Sequence, residues 1–248
     1  MNLDRVIAVR NDKTVYRDGD RCIKVFNAQY TKADVLSEAL NQARIEETGL
    51  PIPCVLEATV VDGRWAIVSE YIQGKTLSRL SKENPDRANE YIEFMVDLQI
   101  SINKKSCLGL GRLRDKMITK IAQTDLSATT RYDLHARLER MPRGAGICHG
   151  DINPSNIMLT EDGKAYILDW SHATQGNLCA DAARTYLFYL LSGDESSAAA
   201  YLSIFCQKSG EAESAVRDWI PMVAAALSIA CHEQDRDTLL RLAEGNAL

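Results

Sequence analysis

Hydrophobic periodicity changes once along this chain, near residue 73, and that change constrains the fold more than any other feature. Before it, residues 5–10, 14–17 and 21–26 are short runs rich in Val, Ile and Tyr, separated by Asn11-Asp12-Lys13 and Asp18-Gly19-Asp20. Turn chemistry between β-branched runs predicts a three-stranded antiparallel meander. A helix is expected over about 33–47, opened by Thr31 and Asp34 as a capping box with Asp in place of Glu or Gln. Val35, Leu36, Ala39, Leu40 and Ala43 recur on it at helical spacing, and Gly49, Pro51 and Pro53 stop it. Residues 54–61 and 65–71, joined by Asp62-Gly63-Arg64, add two strands. Gln73-Gly74-Lys75 reads as a linker.

Beyond it the pattern is mostly helical, with helices expected over 89–106, 115–123, 132–140, 180–191 and 214–230, and others between and after the last two. A hairpin interrupts them: strands 157–159 and 165–168 flank Glu161-Asp162-Gly163-Lys164. The expectation is an α+β protein of two lobes. Residues 1–72 make a small antiparallel sheet with one helix, and residues 73–248 a larger, mainly helical lobe.

Composition fits that size. The 248 residues are 46% hydrophobic and 25% charged, which excludes a disordered or fibrous chain. A net charge of -5 argues against a nucleic acid or an anionic membrane as partner. The first residues carry charge early with no apolar run behind it, unlike a signal peptide. The most apolar late stretch, 219–231, contains Pro221 and Ser228, is too short to span a bilayer, and reads as a buried core helix. The seven cysteines are odd in number, widely spaced and without a CxxC pair. This fits buried thiols in a reducing, cytoplasmic setting better than a disulfide framework or a zinc site.

The chemically informative segment is His149-Gly150-Asp151-Ile152-Asn153-Pro154-Ser155-Asn156, followed after the hairpin by Leu168-Asp169-Trp170. Phosphoryl transfer needs a magnesium ion across the phosphates of ATP, and magnesium takes hard oxygen ligands. Asp169 and the amide oxygen of Asn156, brought together by the hairpin, would supply them. A second carboxylate must accept the proton of the attacking hydroxyl, and Asp151, five residues before Asn156, is placed for that.

His149-Gly150-Asp151 with Asn156, then Asp169-Trp170, resembles the aminoglycoside phosphotransferase and choline kinase group of the protein-kinase-like fold. That group has HGD where protein kinases have HRD. Asn153 stands where protein kinases carry a catalytic-loop Lys, which favours a small-molecule kinase. The upstream half of such a site is testable separately: a kinase needs a strand Lys on the α/β-phosphates and a helical Glu to orient it. Lys24 sits in the apolar run Cys22-Ile23-Lys24-Val25-Phe26, on the face opposite Ile23 and Val25, and Glu38 lies in the following helix one turn after Val35. Glu46 and Glu47 are weaker rivals near the helix end.

The first turn departs from a glycine-rich loop, because residues 8–15 contain no glycine. Ile7 and Val15 are candidates to sandwich adenine. The resemblance makes Glu70-Tyr71-Ile72 the hinge, with Glu70 and Ile72 offering backbone groups to adenine, and Gly74 the point where the chain turns into the second lobe. Asp181 reads as a helix N-cap that, by resemblance, also braces the catalytic loop. His149 reads as a loop-positioning residue, and His172 as a residue that could approach phosphate or acceptor. His135 and His232 carry no pattern. Asp194, Glu195, Glu233, Asp235 and Asp237 could receive an amine or form a solvated face.

The expectation is thus an enzyme that moves the γ-phosphate of ATP, with Mg2+, onto a hydroxyl of a small polar acceptor: aminoglycoside-, choline-, sugar- or amino-alcohol-like. Two other readings stand beside it, a nucleotide-binding module without transfer and a protein kinase.

Overall fold

The computed structural model describes Leu3 and residues 5–9 and 13–246. Arg10 and the turn residues Asn11 and Asp12 lie outside the described residues, as do Met1, Asn2 and Asp4 at the start. Strands β1 (Arg5–Val9), β2 (Lys13–Asp18), β3 (Arg21–Phe26), β4 (Val55–Val61) and β5 (Arg64–Glu70) form one antiparallel sheet in the order β1-β2-β3-β5-β4. Helix α1 (Lys32–Glu46) crosses between β3 and β4.

Pleat and register decide what faces α1. Lys24 pairs with Val15 on one side and Ile67 on the other. Ile23 and Val25 join Ala66 and Val68 on one face of the sheet. Phe26 and Ile67 pack on the opposite face against Val35 and Ala39 of α1. Lys24 alternates onto that second face, under the helix. The capping box holds: Thr31 Oγ1 accepts from the Asp34 N–H, and Asp34 accepts from the Thr31 N–H. The buried stripe of α1 is rotated from the expected one. Val35, Glu38, Ala39, Gln42 and Ile45 are buried, while Leu36 and Leu40 are exposed. Two polar side chains face inward because each is satisfied there: Gln42 donates to the Pro53 carbonyl at 2.7 Å, and Glu38 meets Lys24.

The expected linker is partly structured. β6 (Lys75–Thr76) pairs with β8 (Ile157–Leu159), which pairs with β9 (Ala165–Ile167). Gly74 is required by close approach rather than by a turn, since a Cβ there would strike the Leu159 carbonyl. Between β6 and β8 come α2 (Leu77–Glu83), α3 (Ala88–Asn103), α4 (Leu113–Ala122), α5 (Ala128–Arg140) and strand β7 (Gly146–Cys148). β10 (Thr174–Gly176) pairs with β7, Thr174 opposite Cys148. The segment 149–173 is therefore pinned at both ends by one ribbon and held at its middle by the β8–β9 hairpin.

The chain closes with α6 (Leu178–Leu191), α7 (Glu195–Ser209), α8 (Glu213–Arg217), α9 (Ile220–Leu227) and α10 (Glu233–Ala243). The expected single helix over 214–230 is two. Pro221 sits in the first turn of α9, where its missing N–H costs nothing, and it cannot continue a helix arriving from α8. α9 is buried along most of its length, as the apolar run predicts. The main core lies among the helices, around Met95, Ile121, Leu138, Trp170, Tyr201 and Phe205. Of the seven cysteines only Cys107, Cys148 and Cys179 are buried, and Cys54 is exposed. Among the described residues no helix is long and apolar enough to cross a membrane.

Candidate active site

The sheet and the helical body meet at Asp169. Lys24 Nζ donates to Glu38 Oε1 at 2.6 Å and to Asp169 Oδ1 at 3.3 Å. The strand lysine, the helix glutamate and the aspartate after the hairpin therefore form one chain of contacts, as the sequence predicts. Glu46, a rival for the glutamate, instead accepts from the Val55 N–H at 2.6 Å. Burial alone would push the Lys24 ammonium down, but the charges of Asp169 and Glu38 outweigh it and hold its pKa above the ordinary lysine range. Burial likewise opposes ionisation of Asp169, yet Lys24 and Lys13 hold its carboxyl well below the usual carboxylate range. Lys13 carries the contact that sequence reasoning missed: its Nζ donates to Asp169 Oδ2 at 3.0 Å. Its only sequence signal is a cation at the edge of the glycine-free turn.

Asp151 lies on the loop after β7. Its Oδ2 accepts from Asn156 Nδ2 at 3.0 Å, and its Oδ1 from Arg184 Nη2 at 3.2 Å. Asn156 also donates to the Asp151 carbonyl at 2.8 Å. With its NH2 group committed to Asp151, Asn156 keeps its amide oxygen for another partner. Asn153 caps the short turn 154–156 by accepting from the Ser155 N–H and donates to the Asp151 carbonyl.

Buried groups fix the loop. His149 Nδ1 accepts from the Asp151 N–H and Nε2 reaches the Leu168 carbonyl at 3.0 Å, so both ring nitrogens are committed and the residue positions the loop. Gly150 has φ +76°, and a Cβ there would lie 2.7 Å from the His172 carbonyl oxygen. Only glycine fits on both counts. Asp181 is not the N-cap of α6; Asn177 is, accepting from the Cys179 N–H. Asp181 is buried in the first turn, where Oδ1 accepts from the Gly150 N–H at 2.7 Å and Oδ2 from Gln99 Nε2. Tyr201 donates to Gln99 Oε1, and Thr185 to the Ile152 carbonyl, completing the brace. Asp169 itself has φ 62°, a left-handed backbone held by these surroundings.

Two clefts meet here. One, about 500 Å3, lies under the sheet and is lined by Ile7, Val15, Lys24, Glu70, Tyr71 and Ile72 among others. Ile7 and Val15, the residues expected at adenine, both line it, and Tyr71 spends its N–H on the Asp20 carbonyl. The second, about 630 Å3, is lined by Asp151, His172, Phe188 and His232 among others. Lys13, Ser155, Asn156 and Asp169 line both. Of the five acids suggested as amine receivers, none lines either cleft. Asp194 instead caps α7, and Glu233 and Asp235 occupy the first turn of α10.

A nucleotide-sized cleft, an acceptor-sized cleft and a carboxylate at their junction define a phosphotransferase of the kinase-like fold acting on hydroxyl groups. The chain belongs to the phosphotransferase enzyme family (APH), whose model matches residues 5–219. Solved structures share the fold. An apo thermostable mutant of aminoglycoside phosphotransferase APH(4)-Ia matches with TM-score 0.65 at 16% identity, over 97% of this chain and 90% of that one. Choline kinase LicA from Streptococcus pneumoniae matches with TM-score 0.63 at 15% identity, over 100% and 88%. A choline/ethanolamine kinase family protein from Mesorhizobium loti matches with TM-score 0.55 at 19% identity, over 99% and 81%. No curated protein matches the sequence.

Proposed function

We propose that this enzyme transfers the γ-phosphoryl group of ATP, with Mg2+, to the hydroxyl of a small polar acceptor in the cytoplasm. Residues 1–72 form the nucleotide-binding lobe and residues 73–248 the lobe that carries catalysis and acceptor binding. The observation that carries this reading is the convergence on Asp169: Lys24 with its Glu38 partner reaches it from the sheet, while Asn156 and Asp151 approach from the loop at the meeting of the two clefts. A structure of the same fold, a thermostable mutant of APH(4)-Ia, is a ternary complex with AMP-PNP and hygromycin B.

Adenine lies between Ile7 and Val15, with backbone groups of Glu70 and Ile72 at its edge. Lys24, oriented by Glu38, takes the α/β-phosphates. The metal donors fit magnesium. The Asp169 carboxylate and the Asn156 amide oxygen are hard ligands of the kind that ion takes. Asp169 and Asn156 would hold the ion, which would supply charge neutralisation when bound. Asp151 accepts the acceptor's hydroxyl proton. The acceptor oxygen bonds to the γ-phosphorus, the bond from that phosphorus to the β-bridging oxygen breaks, and ADP leaves. Arg184, Asn156 and Asn153 fix the Asp151 carboxylate, so catalysis is mostly positioning and charge neutralisation.

The test pairs Mg-ATP binding with ADP release across a panel of alcohols. Asp151→Ala is expected to bind Mg-ATP and to lose at least ~10³-fold in turnover, as removal of a positioned proton acceptor does. Wild-type turnover in that variant removes the assigned base. Binding without ADP release by the wild type on any alcohol favours a silent nucleotide-binding module instead.

A further inference from the structure

Beside Asp151, α4, α6 and the segment after Asp169 enclose a third, smaller recess of about 50 Å3. Lys116, Lys120, Gly150, His172 and Arg184 line it, with Val223 of α9 as an apolar wall. His172 lines both this recess and the larger cleft and so stands between them. The charges there do not balance. Arg184 has one acidic partner, Asp151 at 3.2 Å, and its Nε is buried without a hydrogen bond. Among the described residues Lys116 Nζ donates only to the His172 carbonyl, at 3.3 Å. Among the described residues neither Lys116 nor Lys120 forms an ion pair. Asp181 lines the recess too and brings one negative charge against the three cations, but it is hydrogen-bonded to Gly150 and Gln99 and forms no ion pair with Lys116, Lys120 or Arg184.

Burial pushes Lys116 down to about 8, helped by Lys120 and Arg184, and lowers Lys120 as well. Burial and then the Arg184, Lys116 and Lys120 charges push His172 far below its ordinary value, so its ring is neutral and can donate one N–H. Partly buried cations without counter-ions are costly to keep and are rarely an accident of packing. The acids lining the larger cleft are already engaged: Glu38 with Lys24, Asp169 with both lysines, Asp34 in its capping box, Asp151 with Arg184.

We propose that the Lys116–Lys120–His172–Arg184 recess binds an anionic group, carboxylate or phosphate, on the acceptor, so that the substrate is an acidic alcohol rather than a cationic one. The proposal rests on the phosphotransferase reading above and names its acceptor class. The recess has room for one such group, and its contact with Asp151 through Arg184 puts an adjoining hydroxyl at the base. Arg184 is then a positioning residue, shared between the acceptor's anion and the Asp151 carboxylate.

The experiment compares matched acceptors on the intact enzyme: a hydroxycarboxylic acid (glycerate), a phosphorylated alcohol (glycerol 3-phosphate), and amine-bearing alcohols (choline, an aminoglycoside). One of the two anionic arms is expected to exceed the amines at least 100-fold in kcat/KM, and which arm wins separates carboxylate from phosphate. Lys116→Met and Lys120→Met should each raise KM for that acceptor about tenfold while leaving KM for ATP unchanged. Independently of turnover, inorganic phosphate or acetate should raise the thermal midpoint of the wild type, and less so in the double variant. Preference for the amines, or an acceptor KM indifferent to both lysines, overturns the proposal, as does the absence of any anion-dependent stabilisation. Failure to bind Mg-ATP would sink the kinase reading instead.

Discussion

Asp169 lies between two ammonium groups, Lys13 Nζ at 3.0 Å from Oδ2 and Lys24 Nζ at 3.3 Å from Oδ1. Lys24 has a second anchor in Glu38, whereas Lys13 has Asp169 alone among the described residues. An anion entering this cleft therefore finds Lys13 the easier of the two to recruit. That matters because residues 8–15 contain no glycine, a sequence expected to cover a phosphate chain less closely than a glycine-rich turn. A point charge on a flexible stem does the same work from further away. Lys13→Ala is expected to raise KM for ATP about tenfold, close to 1.4 kcal/mol, with a smaller change in kcat. Steady-state kinetics with ATP varied at saturating acceptor measures it, and an unaltered KM removes Lys13 from nucleotide binding.

The same triad sets an acid limit on stability. Asp169 has its folded pKa depressed below its unfolded one. Its contribution is therefore fully present above the ordinary carboxylate range, near pH 4, and is lost as pH falls below that. Asp169→Asn keeps the shape and tolerates the left-handed backbone, but leaves Lys13 and Lys24 facing a neutral amide. It should cost about 2 kcal/mol at pH 7, a figure reduced for the partial exposure of Asp169. The gap to wild type should narrow as pH drops from about 4 toward 2. Urea unfolding at several pH values reads both, and a gap independent of pH would mean that the charges contribute nothing.

Gly150 offers a sharper geometric test. Its φ of +76° and the nearby His172 carbonyl both oppose a side chain. Gly150→Ala should destabilise by about 2 kcal/mol, more than the ordinary glycine-to-alanine penalty at positive φ, because backbone rather than a flexible side chain must give way. Turnover should fall at least tenfold with it, since the Gly150 N–H holds Asp181 and the next residue is the proposed base. Thermal melts and kcat together check this; a variant as stable and as active as wild type would mean that the loop repacks freely.

These tests divide along what could be read from residues alone. Five strands, their order of appearance and the α1 capping box follow from turn chemistry and periodicity, which are local. The pairing of Lys24 with Glu38 and of Asp151 with Asn156 was legible because phosphate chemistry calls for those types in that order. Three things were not. The buried stripe of α1 excludes Leu36 and Leu40, because Glu38 and Gln42 find partners on other segments, and periodicity counts only apolar residues. Asp181 looked like a cap because an acid opens α6, and only the resemblance gave it the bracing role; its partners are Gly150 and Gln99, 31 and 82 residues away, beyond any local pattern. Lys116, Lys120 and Arg184 sit on two helices with ordinary surface spacing, and only their packing against His172 and Asp151 takes them out of water.

That packing gives the last prediction. Lys116 titrates at about 8 in the folded protein, because burial and then the like charges of Lys120 and Arg184 disfavour its ammonium. A lysine whose folded pKa lies below its unfolded one destabilises the fold wherever it is charged. The penalty is complete below about pH 8 and fades as pH rises toward the unfolded value near 10.5. Lys116→Met keeps the stem and drops the charge, so it should stabilise the protein at pH 7 by about 1 kcal/mol, allowing for solvent at the mouth of the recess. The advantage should shrink between pH 8 and 10.5. A stability gained by losing the residue, together with a weaker hold on an anionic acceptor, is the mark of a charge kept for binding rather than for folding. Denaturant midpoints of the two proteins at pH 7 and pH 10 decide it. A variant less stable than wild type at pH 7 would mean that Lys116 has a structural partner, and that its charge is already balanced without any acceptor.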